Sequence, residues 1–82
     1  MSDSRACVTV VLHAHLTRYA GGHGRVALPH CAGLAVADYL RLLGIPPHEY
    51  YALVRDGKVS TDLGVVLAEG EIIELLPAMS GG

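Results

Sequence analysis

The sequence predicts an α+β domain, a mixed sheet with one helix packed across one of its faces. Three observations predict it. Short runs that alternate apolar and polar residues flank a single run with helical period. Turn residues punctuate the runs at short intervals. Hydrophobic residues make up 51% of the chain against 17% charged, a composition that folds rather than staying disordered.

The first run, "CVTVVLHAHL", covers residues 7–16. Val8, Val10, Leu12, Ala14 and Leu16 share one parity; Cys7, Thr9, Val11, His13 and His15 share the other, so the run reads as a half-buried strand. "TRYAGGHG" breaks the pattern with three glycines and reads as a loop. "RVALP", ended by Pro29, reads as a second strand in a hairpin with the first. "LAVADYLRLLGIPP" changes period: Val36, Tyr39, Leu40 and Leu43 lie at i, i+3, i+4 and i+7 on one helical face. Gly44 suits a left-handed cap, and Pro46 and Pro47 prevent continuation. No Ser, Thr, Asp or Asn precedes the helix, only Gly33 as a weak cap, so packing must hold its start.

"YYALVRDGKV" reads strand, turn, strand, with Asp56-Gly57 as the hairpin signal. "STDLGVVLAEG" is a compact connection. "EIIELLP" is the last strand, with Ile73 and Leu75 facing one way and Ile72, Glu74 and Leu76 the other. The order is β-β-α-β-β-β. A later strand must return beside the first, through a right-handed crossover. Val10, Leu12, Ala14, Val36, Leu40, Leu43, Ile73 and Leu75 are the expected core. Residues 1–77 are expected to form a single domain and residues 78–82 a flexible tail.

With no Phe or Trp and four Tyr, aliphatic side chains must fill this core, which leaves little room for a deep active site. A net charge of -2 argues against a nucleic-acid footprint. No apolar run approaches the ~18 residues of a bilayer span. The N-terminal stretch lacks a signal-peptide pattern, so a cytoplasmic protein is expected. Cys7 and Cys31 then read as unpaired thiols.

The chain closes on "ELLPAMSGG". Terminal glycines add nothing to a core, because glycine loses the most conformational freedom on ordering. Together with "VVLHAHLTR", "GLAVADYLRLLGIP" and "LAEGEIIELLPAMSGG", this ending resembles the MoaD/ThiS sulfur carriers, over nearly the whole chain from Val8 to Gly82. The resemblance implies the ubiquitin-like β-grasp fold. It also implies a carrier that is not itself an enzyme and binds no cofactor. A partner would use ATP and Mg²⁺ to convert the Gly82 carboxylate into an acyl-adenylate, and a persulfide sulfur would displace AMP to leave a thiocarboxylate.

Ser80 and Gly81 would thread the partner's channel unobstructed, and Pro77 would stop the strand. The implied partners are a ubiquitin-activating-type adenylating enzyme, a sulfur donor such as a cysteine desulfurase or rhodanese-like protein, and a sulfur-accepting synthase. Molybdopterin-type cofactor and thiamine thiazole pathways are the implied destinations. The sequence departs from the family at Ala78, where a second proline is usual. It departs again at His13 and Lys58, where the molybdopterin branch tends to place an aromatic and an apolar residue. With Leu76 these would line the sheet face that docks the activating enzyme. By parity, Val11 and Ile72 join Leu76 in an exposed apolar patch.

His13 and His15 on one strand face could share a metal, but no third ligand is fixed by spacing, and a solvated face is the simpler reading. Cys31 beside His30 lacks an orienting group for a catalytic thiol. Asp62, Glu69, Glu71 and Glu74 are either ordinary surface carboxylates or an acidic rim that steers a basic partner. A protein modifier joined through Gly82 to a lysine, and a binding module with an idle tail, remain as alternatives to the carrier.

Overall fold

The computed structural model describes residues 7–78. Five strands, β1 (Cys7–Val11), β2 (Arg25–Pro29), β3 (Tyr50–Arg55), β4 (Lys58–Ser60) and β5 (Ile72–Pro77), form one sheet in the order β2-β1-β5-β3-β4. One α-helix, α1 (Val36–Leu43), packs on it. β1 and β5 run parallel in the middle of the sheet, and the other neighbours are antiparallel. This is the ubiquitin-like β-grasp fold, with the last strand returned beside the first as the element order requires.

Two 3-10 segments, Ala14–Ala20 and Pro47–Glu49, complete the chain trace. The first corrects the sequence reading, since β1 ends at Val11 rather than Leu16. Leu12 and Leu16 are both buried, and a separation of four satisfies a strand and a helix equally. The deciding pattern lies further on, where Leu16, Tyr19 and Ala20 all meet the core at helical spacing. Gly21, left-handed, ends the segment by donating its N–H to Thr17 O.

Ala14, expected in the core, is exposed instead and takes φ 54°. That conformation is strained for a residue with a Cβ. Ala14→Gly should therefore stabilise the protein by up to about 1 kcal/mol. Ala14→Val should destabilise it, because a β-branched residue tolerates positive φ still less. Thermal melts of the pair check the assignment; equal melting temperatures would contradict it.

The remaining core expectation holds for Val10, Leu12, Val36, Leu40, Ile73 and Leu75, each at most 2% exposed. Leu43 is half-buried at the edge of the same cluster. Tyr39 is fully buried, and its hydroxyl both accepts from Cys31 N at 3.0 Å and donates to Cys31 O at 3.3 Å. A buried phenol requires such partners.

The helix start has no side-chain cap on its first residue, and the connection between β4 and β5 supplies what is missing. Val36 N donates to Val65 O at 2.9 Å and Ala37 N to Leu63 O at 3.0 Å. Asp38 reaches back to accept from Ala35 N at 2.9 Å. The free N–H groups of a first turn are thus satisfied by tertiary contact. At the other end Gly44, at φ 79°, closes the helix as expected.

Candidate functional site

Among the described residues, the sheet has one face against α1 and one without a helix. Val8, Val10, Leu53, Ile73 and Leu75 point to the helix side. Parity then puts Thr9, Val11, Ile72, Glu74, Leu76, Ala52 and Val54 on the open side. Ile72 is 55% exposed, while Val11 and Leu76 are half-buried. The structure thus brings Val11, Ile72 and Leu76 onto one face, on the adjacent strands β1 and β5.

Lys58 does not join them. The turn Asp56-Gly57 has positive φ at both residues, the two-residue type that fixes hairpin register. Arg55 therefore pairs with Lys58, Val54 with Val59 and Leu53 with Ser60. Leu53 lies in the core, so Lys58 and Ser60 share its side of the sheet, where they line a shallow cleft with Arg55 and Val65. Val59, 66% exposed, takes the open-face position instead. Sequence reasoning missed Val59, and it missed Val54 beside it.

His13 lies beyond the end of β1, yet its Nε2 bonds Glu74 Oε2, which ties it to the open face of β5. His15 goes elsewhere: its Nε2 lies 2.9 Å from Glu49 Oε1. The break at Ala14 separates the two imidazoles, so they do not share a strand face. Among the described residues, no group of three or more His, Cys, Asp or Glu is placed to hold a metal ion. Cys31 is exposed, and the neighbouring His30 donates from Nε2 to Leu67 O at 2.9 Å.

Three carboxylates of the last third have local partners. Glu74 is engaged by His13. Asp62 accepts from Gly64 N at 2.9 Å in a local turn. Glu71 takes a forked pair of bonds from Arg55, Nε at 2.9 Å and Nη2 at 2.7 Å to the same oxygen. The Arg55 hydrogen bonds hold the Glu71 carboxyl below the ordinary carboxylate range, against a smaller opposing effect of burial. A depressed folded-state pKa gives stability that is fully present above the unfolded value and lost as pH falls through the folded one. Unfolding followed from about pH 5 downward, below the ordinary glutamate value of about 4.3, should show this loss in the wild type, and Arg55→Ala should remove that part of the acid dependence. Parallel pH profiles for the two proteins would contradict it.

β5 ends at Pro77, which pairs with Tyr50 across a bulge in β3 that leaves Tyr51 60% exposed. Ala78 N then donates to Glu49 O at 2.9 Å. Ser80, Gly81 and Gly82, the residues assigned to threading and attachment, lie outside the described residues. No helix among the described residues is long and apolar enough to cross a membrane.

No family model and no curated protein sequence matches the chain. Solved structures do. SAMP1 from Haloferax volcanii is 26% identical, with a TM-score of 0.69, over 93% of this chain and 99% of that one. A second crystal structure, of H. volcanii small archaeal modifier protein 1, is 24% identical with a TM-score of 0.71, covering 90% of this chain and 99% of that one. A putative molybdopterin converting factor, subunit 1, from Pyrococcus furiosus is 16% identical with a TM-score of 0.68, over 90% of this chain and 99% of that one.

Proposed function

We propose that this chain, which belongs to the MoaD/ThiS family of ubiquitin-like proteins, carries sulfur as a thiocarboxylate on Gly82. The observation that supports the reading best is the layout of β5. The middle strand of the sheet lies five residues before Gly82, and its open face holds Ile72 and Leu76 beside Val11. A docking face and a reactive end on one strand suit a protein whose terminus is worked on by a partner.

The chemistry is the partner's. A Gly82 carboxylate oxygen attacks the α-phosphorus of ATP and pyrophosphate leaves, with Mg²⁺ neutralising the phosphate charge. A persulfide sulfur attacks the acyl carbon and AMP leaves. A donor thiol then reduces the acyl disulfide and releases the thiocarboxylate, which a synthase consumes. This chain supplies the carboxylate and the docking surface. A free Gly82 carboxylate is a requirement of the reading.

Molybdopterin-type cofactor synthesis is the acceptor pathway that the Pyrococcus furiosus structure favours, and thiamine thiazole is the other candidate. A second reading, a modifier joined through Gly82 to lysines of other proteins, is favoured by the likeness to small archaeal modifier protein 1. The product separates the two: a thiocarboxylate mass or protein conjugates.

Docking is tested on the most exposed members of the face. Val59 and Ile72 are 66% and 55% exposed, so a carboxylate there is solvated when the chain is free and buried on binding. Ile72→Asp should weaken binding to the activating enzyme about tenfold or more, with an unchanged melting temperature. Leu76→Asp should act the same way at some cost in stability, because Leu76 is half-buried. Undiminished binding of folded Ile72→Asp would remove this face from the account.

A further inference from the structure

We propose that Glu49 is a positioning residue for the C-terminal tail, anchoring the point from which the tail leaves the sheet. The proposal rests on the carrier reading above and adds to it a residue outside the docking face.

Glu49 is the last residue of the Pro47–Glu49 segment, directly before β3. Its carboxylate is only 15% exposed and is surrounded by donors from the Ala14–Ala20 segment. His15 Nε2 lies 2.9 Å from Oε1. Arg18 Nη2 and Tyr19 Oη each donate to Oε2 at 3.2 Å. His48 Nε2, at 3.6 Å, adds charge rather than a hydrogen bond when it is protonated. The Arg18 guanidinium lies 5.5 Å from the centre of the Tyr19 ring, so two of the donors also brace each other.

The main chain of the same residue does a second thing. Pro77 has no N–H, so Ala78 N is the first donor after β5, and it bonds Glu49 O at 2.9 Å. Among the described residues this is the final bond before the tail sequence. The His15 ring also lies 3.4 Å from that carbonyl. One residue therefore joins the 3-10 segment, through its side chain, to the tail root, through its backbone.

A covered carboxylate is costly unless well bonded, and an apolar residue would hold a simple packing contact at less cost. What three donors on one carboxylate add is direction, because charge-assisted bonds fix orientation as well as position. Gly82 lies four residues beyond Ala78 in the sequence, so the position of Ala78 sets where the reach of the reacting carboxylate begins. Misplacement of about 1 Å can lower a rate by as much as ~100-fold.

The test uses full-length Glu49→Ala, Glu49→Gln and Tyr19→Phe with the activating enzyme, ATP and Mg²⁺. Adenylate formation by Glu49→Ala should fall about tenfold in kcat with KM nearly unchanged, because the docking face is untouched. Glu49→Gln should recover most of the rate, since its side-chain carbonyl still accepts from Arg18 and Tyr19. A parallel readout needs no enzyme: exchange of the Ala78 amide proton, followed by NMR, should speed up about tenfold in Glu49→Ala, while core amides in β5 stay protected.

An unchanged kcat in folded Glu49→Ala overturns the proposal, as does a lowered kcat with unchanged Ala78 exchange, which would mean that the enzyme touches Glu49 directly. If Glu49→Ala does not fold, Tyr19→Phe, which removes one donor and keeps the ring, must show a smaller shift in both readouts, and no shift overturns the proposal. Failure of the wild type to be adenylated would remove the carrier reading instead. The Ala78 exchange rate would then decide the anchoring by itself.

Discussion

Removal of Gly82, or addition of one residue after it, is expected to abolish thiocarboxylate formation and leave the melting temperature where it was. The two outcomes have separate causes. On the carrier reading, loading requires a free carboxylate on a residue slim enough to enter a channel. Stability rests on the core cluster and the strand pairs, which among the described residues run from Cys7 to Pro77. Gly81→Val should also fail to load, since a β-branched side chain restricts the backbone and adds bulk. Intact-mass spectrometry and a thermal melt on the same samples read both effects. A truncated protein that loads normally contradicts the role of Gly82; one that melts early says that the tail is structural.

Leu75→Ala should have the largest effect on stability. Leu75 is fully buried on β5, the middle strand, between β1 and β3. The substitution removes transfer energy and leaves a cavity, at a cost of about 2–5 kcal/mol. Total stabilities of small domains are about 5–15 kcal/mol, so the variant should be close to unfolding at physiological temperature. Leu42, on α1 but 66% exposed, is the control; Leu42→Ala should change stability by less than about 0.5 kcal/mol. Urea titrations give both values. A Leu75→Ala penalty below about 1 kcal/mol would contradict the assignment of β5 as the centre of the core.

Which parts of this fold the sequence shows depends on how local the deciding physics is. The buried face and the stop of α1 are legible, because Val36, Tyr39 and Leu40 set the one and Gly44 the other. β5 is legible because alternation over six residues separates Ile73 and Leu75 from Ile72 and Leu76. The start of α1 is not, since its N–H groups are satisfied by Leu63 and Val65, far along the chain. β1 reads too long in the sequence because a spacing of four between Leu12 and Leu16 fits two periods. The left-handed Ala14 marks where the strand gives way to the 3-10 segment, and no propensity predicts alanine there.

The candidate site divides in the same way. Parity alone places Val11, Ile72 and Leu76 on one face. The family resemblance puts Lys58 on the docking face, although the Asp56-Gly57 turn already contains the answer. With a two-residue loop, Val54 must face Val59, and Lys58 must share the side of Leu53. Glu49 could not be found from sequence, because its partners His15, Arg18 and Tyr19 lie some thirty residues away on a segment that read as strand and loop.

The most direct test of the central claim is intact-protein mass spectrometry of the full-length wild-type chain. The sample is incubated with ATP, Mg²⁺, a persulfide donor and the activating enzyme from its own source. The account predicts a product in which one carboxylate oxygen is replaced by sulfur, with the fragment carrying the change ending at Gly82. A chain that no activating enzyme of its source adenylates or thiolates would contradict the account and leave a β-grasp binding module with an idle tail.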